Sequence, residues 1–223
     1  MNWKYLVGGI LFLFVLSACS NEDESWDEKQ FLQSFVAGFE DNAASRTSLV
    51  NGGKVHWVVG DEIVLFKGSQ KAIYTASSGG AQVVFQKKEG DDLDASGTYT
   101  AVYPASAFNM DDKSITVKTA QTAQANGFDG DAAICKAVVT PTNWSEVSFH
   151  NVCALLKFSV ASSMASNVGK LKLTAPNHLK SKATITDDGI LTWGDSDTQE
   201  YTLSGSFSAN TDYYLLVAPQ TLT

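Results

Sequence analysis

The sequence predicts an all-β protein built as two β-sandwich domains, and three observations carry that prediction. Short segments rich in β-branched and aromatic residues recur along the chain, and clusters of Gly, Asn, Asp and Ser separate them. No long stretch keeps the 3.6-residue apolar period of an amphipathic helix.

Residues 1–18 read as a secretory signal peptide. Met1-Asn2-Trp3-Lys4 supplies one cation, Tyr5–Leu16 an apolar core, and Leu16-Ser17-Ala18 a small-residue exit. The uncharged run from Tyr5 to Ala18 is shorter than the ~18 apolar residues of a membrane-spanning helix and contains Gly8-Gly9. Cys19, directly after Leu-Ser-Ala, resembles the bacterial lipobox, in which that cysteine is acylated and becomes the first mature residue. Each buried methylene contributes ~0.8 kcal/mol and a single acyl chain holds only marginally, so the multiple chains usual on such cysteines give stable attachment. Residues 19–30 form an acidic tether: five acids between Ser20 and Glu28 cannot pack a core. Such a stretch after a lipidated cysteine also resembles the signal that sends lipoproteins of Bacteroidota to the outer face of the outer membrane.

Charge narrows the partners. Removing residues 1–18 takes one of the 16 basic side chains and none of the 24 acidic ones, leaving a net charge of −9 on the mature chain. That surface repels nucleic-acid phosphates and does not adhere by charge to anionic lipid. The remaining length suits one large or two small domains with a core that needs no staples.

The first domain, residues 31–125, begins with Phe31–Phe39, which places Phe31, Gln33, Phe35, Ala37 and Phe39 on one face of an extended strand. Further strands are predicted at Val55–Val59, Glu62–Phe66, Lys71–Tyr74, Gln82–Phe85, Tyr99–Tyr103 and Ser114–Lys118. Turn signals such as Asn51-Gly52-Gly53, Gly60-Asp61 and Ser77-Ser78-Gly79-Gly80 separate them. The polar run Thr119–Asp131 reads as a connection between two β units.

The second domain, residues 126–223, restarts with Ala132–Val139 and Val147–Val160. In the latter, Val152, Ala154, Leu156, Phe158 and Val160 share one face while Cys153 and Leu155 make the other apolar, the pattern of a central strand buried on both sides. Leu171–Thr174, Ala183–Thr186, Gly189–Trp193, Glu200–Phe207 and Tyr213–Pro219 follow, at the spacing of a sandwich. Cys135 and Cys153 lie eighteen residues apart and equidistant from Trp144. A hairpin centred on Trp144 sets the two cysteines face to face, where opposed Cβ atoms come within ~4.5–5.5 Å, close to what a disulfide needs. A one-residue change of register separates them, and two buried thiols fit the same pattern.

Chemistry is sparse. His56, His150 and His178 have no ligand spacing, and alternation turns His56 and His150 toward polar faces. Cys135 and Cys153 lack the CxxC partners of zinc or redox sites, and no nucleophile elbow or phosphate loop occurs. The acid groups Asp91-Asp92-x-Asp94, Asp187-Asp188-Gly189 and Asp195-x-Asp197 are candidates for Ca²⁺ or paired-carboxylate chemistry. All fall where turns are expected and Asp is favoured for its backbone bonding. Trp193 and Tyr213-Tyr214 could stack on sugars, but strand packing uses the same residues. The chain therefore reads as a non-enzyme with no catalytic residue, cofactor or metal.

A set of short motifs in fixed order resembles one family. Glu40-Asp41-Asn42 with Arg46-Thr47, then Val55-His56-Trp57 before Gly60-Asp61-Glu62-Ile63, is similar to the opening of the fimbrillin-like lipoproteins, the type V pilins of Bacteroidota. Tyr99–Pro104, Phe149–Phe158 and Tyr213–Thr221 resemble later strands of that family, and the likeness spans residues 31–223. The resemblance implies two transthyretin-like β-sandwich domains and assembly into fimbriae. In such pilins a protease cuts after a basic residue near the N-terminus, the first strand leaves, and the opened sheet accepts a strand from the next subunit. Here Phe31–Phe39 is the candidate leaving strand, and Arg46, the single arginine, the candidate cleavage site. The implied partners are other pilin subunits, the outer membrane through the lipid at Cys19, and host glycan or protein. A stand-alone surface lipoprotein that binds glycan or host protein without polymerising is the alternative. The chain stops at Thr223, directly after Pro219-Gln220-Thr221, where relatives usually continue through the donor strand. An incomplete second domain is therefore expected, in a terminal, anchoring or non-polymerising member or in a fragment.

Overall fold

The structure, a computed structural model, describes residues 30–40, 49–50, 54–164, 167–195 and 197–220. It is all-β, with several sheets and short 3-10 turns at Ala105–Ala107 and Gly130–Ala132. The strands are β1 (Ser34–Phe39), β2 (Leu49–Val50), β3 (Lys54–Val55), β4 (Glu62–Lys67), β5 (Gln70–Ala76), β6 (Val83–Gly90), β7 (Tyr99–Tyr103), β8 (Phe108–Asn109) and β9 (Ser114–Thr116). There follow β10 (Ala120–Thr122), β11 (Cys135–Val139), β12 (Val147–Asn151), β13 (Ala154–Ser159), β14 (Lys170–Leu179), β15 (Lys182–Ile185), β16 (Leu191–Trp193), β17 (Thr198–Ser204) and β18 (Asp212–Val217).

Seven strands close on themselves in the order β1-β12-β11-β7-β4-β5-β6. Strand β1 completes the ring, antiparallel to β6 and parallel to β12. Alternation fills the interior with Phe35, Ile63, Leu65, Tyr74, Phe85 and Phe149. Trp57 sits at their centre, stacked on Phe39 at 4.1 Å and edge-on to Phe85, Tyr103 and Phe149 at 4.9, 5.2 and 5.4 Å. Pairs of this kind add ~0.5–1.5 kcal/mol each beyond the area they bury.

Nine further strands form the sheets β10-β17-β14, β13-β18 and β16-β15-β9-β8 around a second core, and β2 pairs with β3 in a sheet of their own. The two cores share a wall. In β4, Ile63 and Leu65 face the barrel interior while Val64 and Phe66 face the second core, and in β7 Val102 does the same opposite Ala101 and Tyr103. Phe66 stacks on Phe108 of β8 at 4.3 Å. Asp187, in the turn between β15 and β16, pins that turn to the barrel. Its carboxylate accepts from the Gly68 N–H at 3.0 Å and from Lys113 at 2.6 Å, and its carbonyl accepts from Thr100 Oγ1 at 2.6 Å.

The sheets draw strands from both sides of the expected division at residues 125 and 126. The barrel takes β11 and β12 from the later half, and the second unit takes β8, β9 and β10 from the earlier one. The predicted connection Thr119–Asp131 contains β10, paired in parallel with β17. On its other side the buried Gln121 amide stands in for a peptide against β18. Its Nε2 donates to Leu216 O at 2.6 Å, and its Oε1 accepts from Leu216 N at 3.0 Å.

Val147–Val160 is likewise two strands rather than one buried strand. Asn151 breaks it by accepting from Cys153 N at 3.0 Å and donating to Cys153 O at 2.8 Å, so β12 stays in the barrel and β13 enters the second unit. Among the described residues strand β13 pairs only with β18, and its apolar residues are half-buried on both faces. The predicted strand Val55–Val59 ends early as well. Trp57 forms an isolated bridge to Gly80, Asp61 Oδ2 accepts from Val58 N at 2.8 Å, and Gly60 takes φ +89°, the left-handed turn conformation glycine favours.

Candidate functional site

The feature with most capacity for function is the seat of β1. On one side Ser34–Ala37 pairs with Val83–Gln86, and on the other Ala37–Phe39 pairs with Val147–Phe149. Two buried side chains hold the backbone of β1 and of the residues leading into it from inside the barrel. Trp57 Nε1 donates to Ala37 O at 2.9 Å, and Tyr74 Oη donates to Leu32 O at 2.7 Å. Burial pushes the Tyr74 and Tyr103 hydroxyls up, so both stay protonated as donors, and Tyr103 donates to Asp61 Oδ1 at 3.1 Å. Burial also raises the Asp61 carboxyl. Phe35, the main apolar residue of β1, stacks on Phe85 at 5.6 Å and meets Tyr74 edge-on at 5.2 Å. Beyond the strand, Glu40 N donates to Phe149 O at 3.3 Å and Glu40 Oε2 lies 2.7 Å from His150 Nδ1.

The single face expected for Phe31–Phe39 holds for Phe35, Ala37 and the half-buried Phe39 but fails before them. Phe31 is 42% exposed and Gln33 is exposed, while Leu32 is buried instead. The chain is not yet in a strand there, and the bonds from Leu32 N to Leu93 O and from Tyr74 to Leu32 O turn Leu32 inward.

Cys19 and Arg46, the candidate lipidation and cleavage residues, lie outside the described residues. Of the two alternatives for Cys135 and Cys153, the structure holds the pair of buried thiols. The ladder pairs Cys135 with Asn151, no disulfide joins the cysteines, and Cys135 belongs to the barrel core while Cys153 belongs to the second core. The break at Asn151 carries Cys153 into the second core, where burial pushes its thiol up to about 12.

The remaining candidates separate. His56 is half-buried and His178 lies in β14, far along the chain from His150 in β12. Asp91 accepts from Lys71 N, Asp94 from Ser96 N and Oγ, and Asp197 from Ser181 N, while Asp92 pairs with Lys87. Each is therefore occupied by the turn or strand end it sits in. Asp188 and Asp195 are exposed. Among the described residues no three His, Cys, Asp or Glu side chains converge on a metal position. Tyr213 is buried, and Trp193 and Tyr214 pack against the second core.

Sequence reasoning missed the Trp57 and Tyr74 bonds to β1 and the Asp187 clamp. Trp57 inside an apolar-aromatic run signalled burial, but nothing local showed that its N–H would be directed at a carbonyl twenty residues earlier. Asp187 was visible only as a turn residue, because its partners Gly68, Thr100 and Lys113 come from other strands and turns.

No family model matches the chain, and no curated protein matches it. Among solved structures the chain is similar to one from Bacteroides ovatus described as a "putative cell adhesion protein". The two share 14% identity over 87% of this chain and 81% of the other, with a TM-score of 0.47.

Proposed function

We propose that the protein is a non-catalytic, lipid-anchored surface subunit of a fimbria in the outer membrane, adhesive or structural, that assembles with other subunits by proteolysis-triggered strand exchange. The observation that carries this reading is the place of β1 in the ring. It follows the tether, precedes Arg46 and is the strand that closes the barrel between β6 and β12. Cleavage after Arg46 separates residues 19–46 from the rest of the chain. Departure of β1 then opens two edges, at Val83–Gln86 and Val147–Phe149, and vacates the positions of Phe35 and Ala37. An incoming extended strand with apolar residues at alternate positions satisfies both. The pairing with β12 is parallel, the slightly weaker kind of ladder.

The test is a denaturing gel and intact-mass measurement on protein taken from its own cell surface, with and without protease inhibition. The reading expects a mature N-terminus at Thr47 with detergent-resistant oligomers, both lost in Arg46→Ala. A monomer beginning at acylated Cys19, unchanged by that substitution, overturns strand exchange and leaves a stand-alone surface lipoprotein.

A further inference from the structure

Strands β11 and β12 are neighbours in the barrel, yet their ladder runs only over Cys135–Asn151 and Lys136–His150. Beyond it β11 follows β7 as far as Val139, while β12 leans to β1 over Val147–Phe149. The parting leaves a groove of about 330 Å³ on the face opposite the barrel core, at the small end of the ~300–1,000 Å³ of ligand pockets. Lys136, Glu146, Ser148 and His150 line it, with Val138 as an apolar wall.

The polar groups there are held but not used up. The Lys136 ammonium donates to Gly189 O and meets no carboxylate among the described residues. Burial lowers the pKa of that ammonium. Glu146 lines the same groove, yet no ion pair joins it to Lys136. The turn that presents it is fixed by the bond from Glu146 N to Asn143 O at 2.9 Å. Glu40 orients the His150 ring through Nδ1, leaving Nε2 for another partner. The Asn143 amide is occupied by Val138 O and Thr140 N and serves as structure.

We propose that this groove binds carbohydrate, with hydroxyl groups of one or two sugar rings bridging the Lys136 ammonium and the Glu146 carboxylate over Val138. An ammonium only donates and a carboxylate only accepts, whereas a hydroxyl does both. A simple anion satisfies Lys136 and is repelled by Glu146, and a simple cation meets the reverse problem. Ser148 and His150 add groups that can do either, and all except Glu146 stand on strands that hold their spacing.

The test titrates the full chain in a sugar-free detergent with methyl glucoside, methyl N-acetylglucosaminide and sodium acetate, following backbone amide shifts by NMR. The proposal expects saturable shifts at residues 136–138 and 146–150 with at least one glycoside. Because hydrogen bonds to charged groups are the stronger class, Lys136→Met and Glu146→Gln should each weaken that glycoside at least about tenfold. Lys88→Met, which breaks the ion pair with Glu62 outside the groove, should leave it unchanged. Absence of shifts with both glycosides, shifts that survive both groove substitutions, or the same shifts from acetate alone would overturn it.

Discussion

Phe35→Ala tests whether β1 is an integral part of the barrel. The side chain is 2% exposed, between Phe85 and Tyr74. An aromatic side chain buries ~150–250 Å², which at ~25 cal/mol per Å² is worth about 4–6 kcal/mol. Alanine retains a little of that, and the walls relax only in part around the void, so the loss should be ~3–5 kcal/mol, the usual range for Phe→Ala in a core. Against a total stability of ~5–15 kcal/mol this is large. Urea unfolding followed by tryptophan fluorescence measures the overall loss, and native-state hydrogen exchange locates it. The amides of β1, β6 and the facing part of β12 should lose protection first, with those of β14 and β17 retaining more. A loss below about 1 kcal/mol, the scale of a surface substitution, would refute the packing argument. An equal loss of protection in both units would refute the idea that β1 can leave while the second core stays intact.

Two further predictions concern single groups. The hydrogen bond from Lys113 holds the Asp187 carboxyl below the usual carboxylate range, so Asp187 adds stability above its unfolded pKa and loses it as pH falls through the folded value. Asp61 has the opposite sign: burial raises its pKa, so its charged form opposes folding once pH exceeds the unfolded value. Asp187→Asn should therefore flatten the acid limb of a Tm-against-pH curve. The pair is about one-third exposed, so the cost near neutrality should stay within about 1 kcal/mol, or ~2–4 °C in Tm. A curve parallel to the parent's at every pH would count against the clamp. For the cysteines, iodoacetamide at pH 8 should leave Cys135 and Cys153 unmodified in the folded protein, since both are buried and burial raises the Cys153 thiol to about 12. In denaturant without reductant both should label. Labelling that requires reductant would mean that the ladder is shifted and a bridge exists.

Much of the β architecture was legible because it is local. Glu62–Phe66, Lys71–Tyr74, Tyr99–Tyr103 and Tyr213–Pro219 carry their own alternation and turns, and the structure places β4, β5, β7 and β18 there. Long-range pairing was not legible. Nothing in Cys135–Val139 indicates that it joins the barrel, because that depends on Tyr99–Tyr103 lying alongside. The continuous strand predicted for Val147–Val160 failed at one asparagine whose side chain bonds its own backbone two residues on, a competition that apolar periodicity does not register. The seat of β1 was half legible: Phe35, Ala37 and Phe39 alternate visibly, whereas the bonds from Trp57 and Tyr74 depend on where distant strands bring those rings.

The wall common to the two cores bears on what an opened barrel would be. A ring that loses one strand ordinarily has nothing to keep the remaining sheet in shape, and its uncovered apolar face invites collapse or association with any available edge. Here the sheet is braced from behind. Val64, Phe66 and Val102 remain embedded in the second core, and the turn at Asp187 still fastens β15 and β16 to Gly68 and Thr100. Under the proposed strand exchange the second unit would act as a buttress for the first, holding the curvature of the vacated seat so that an arriving strand would meet a template already formed and spend little of its binding energy on shaping it.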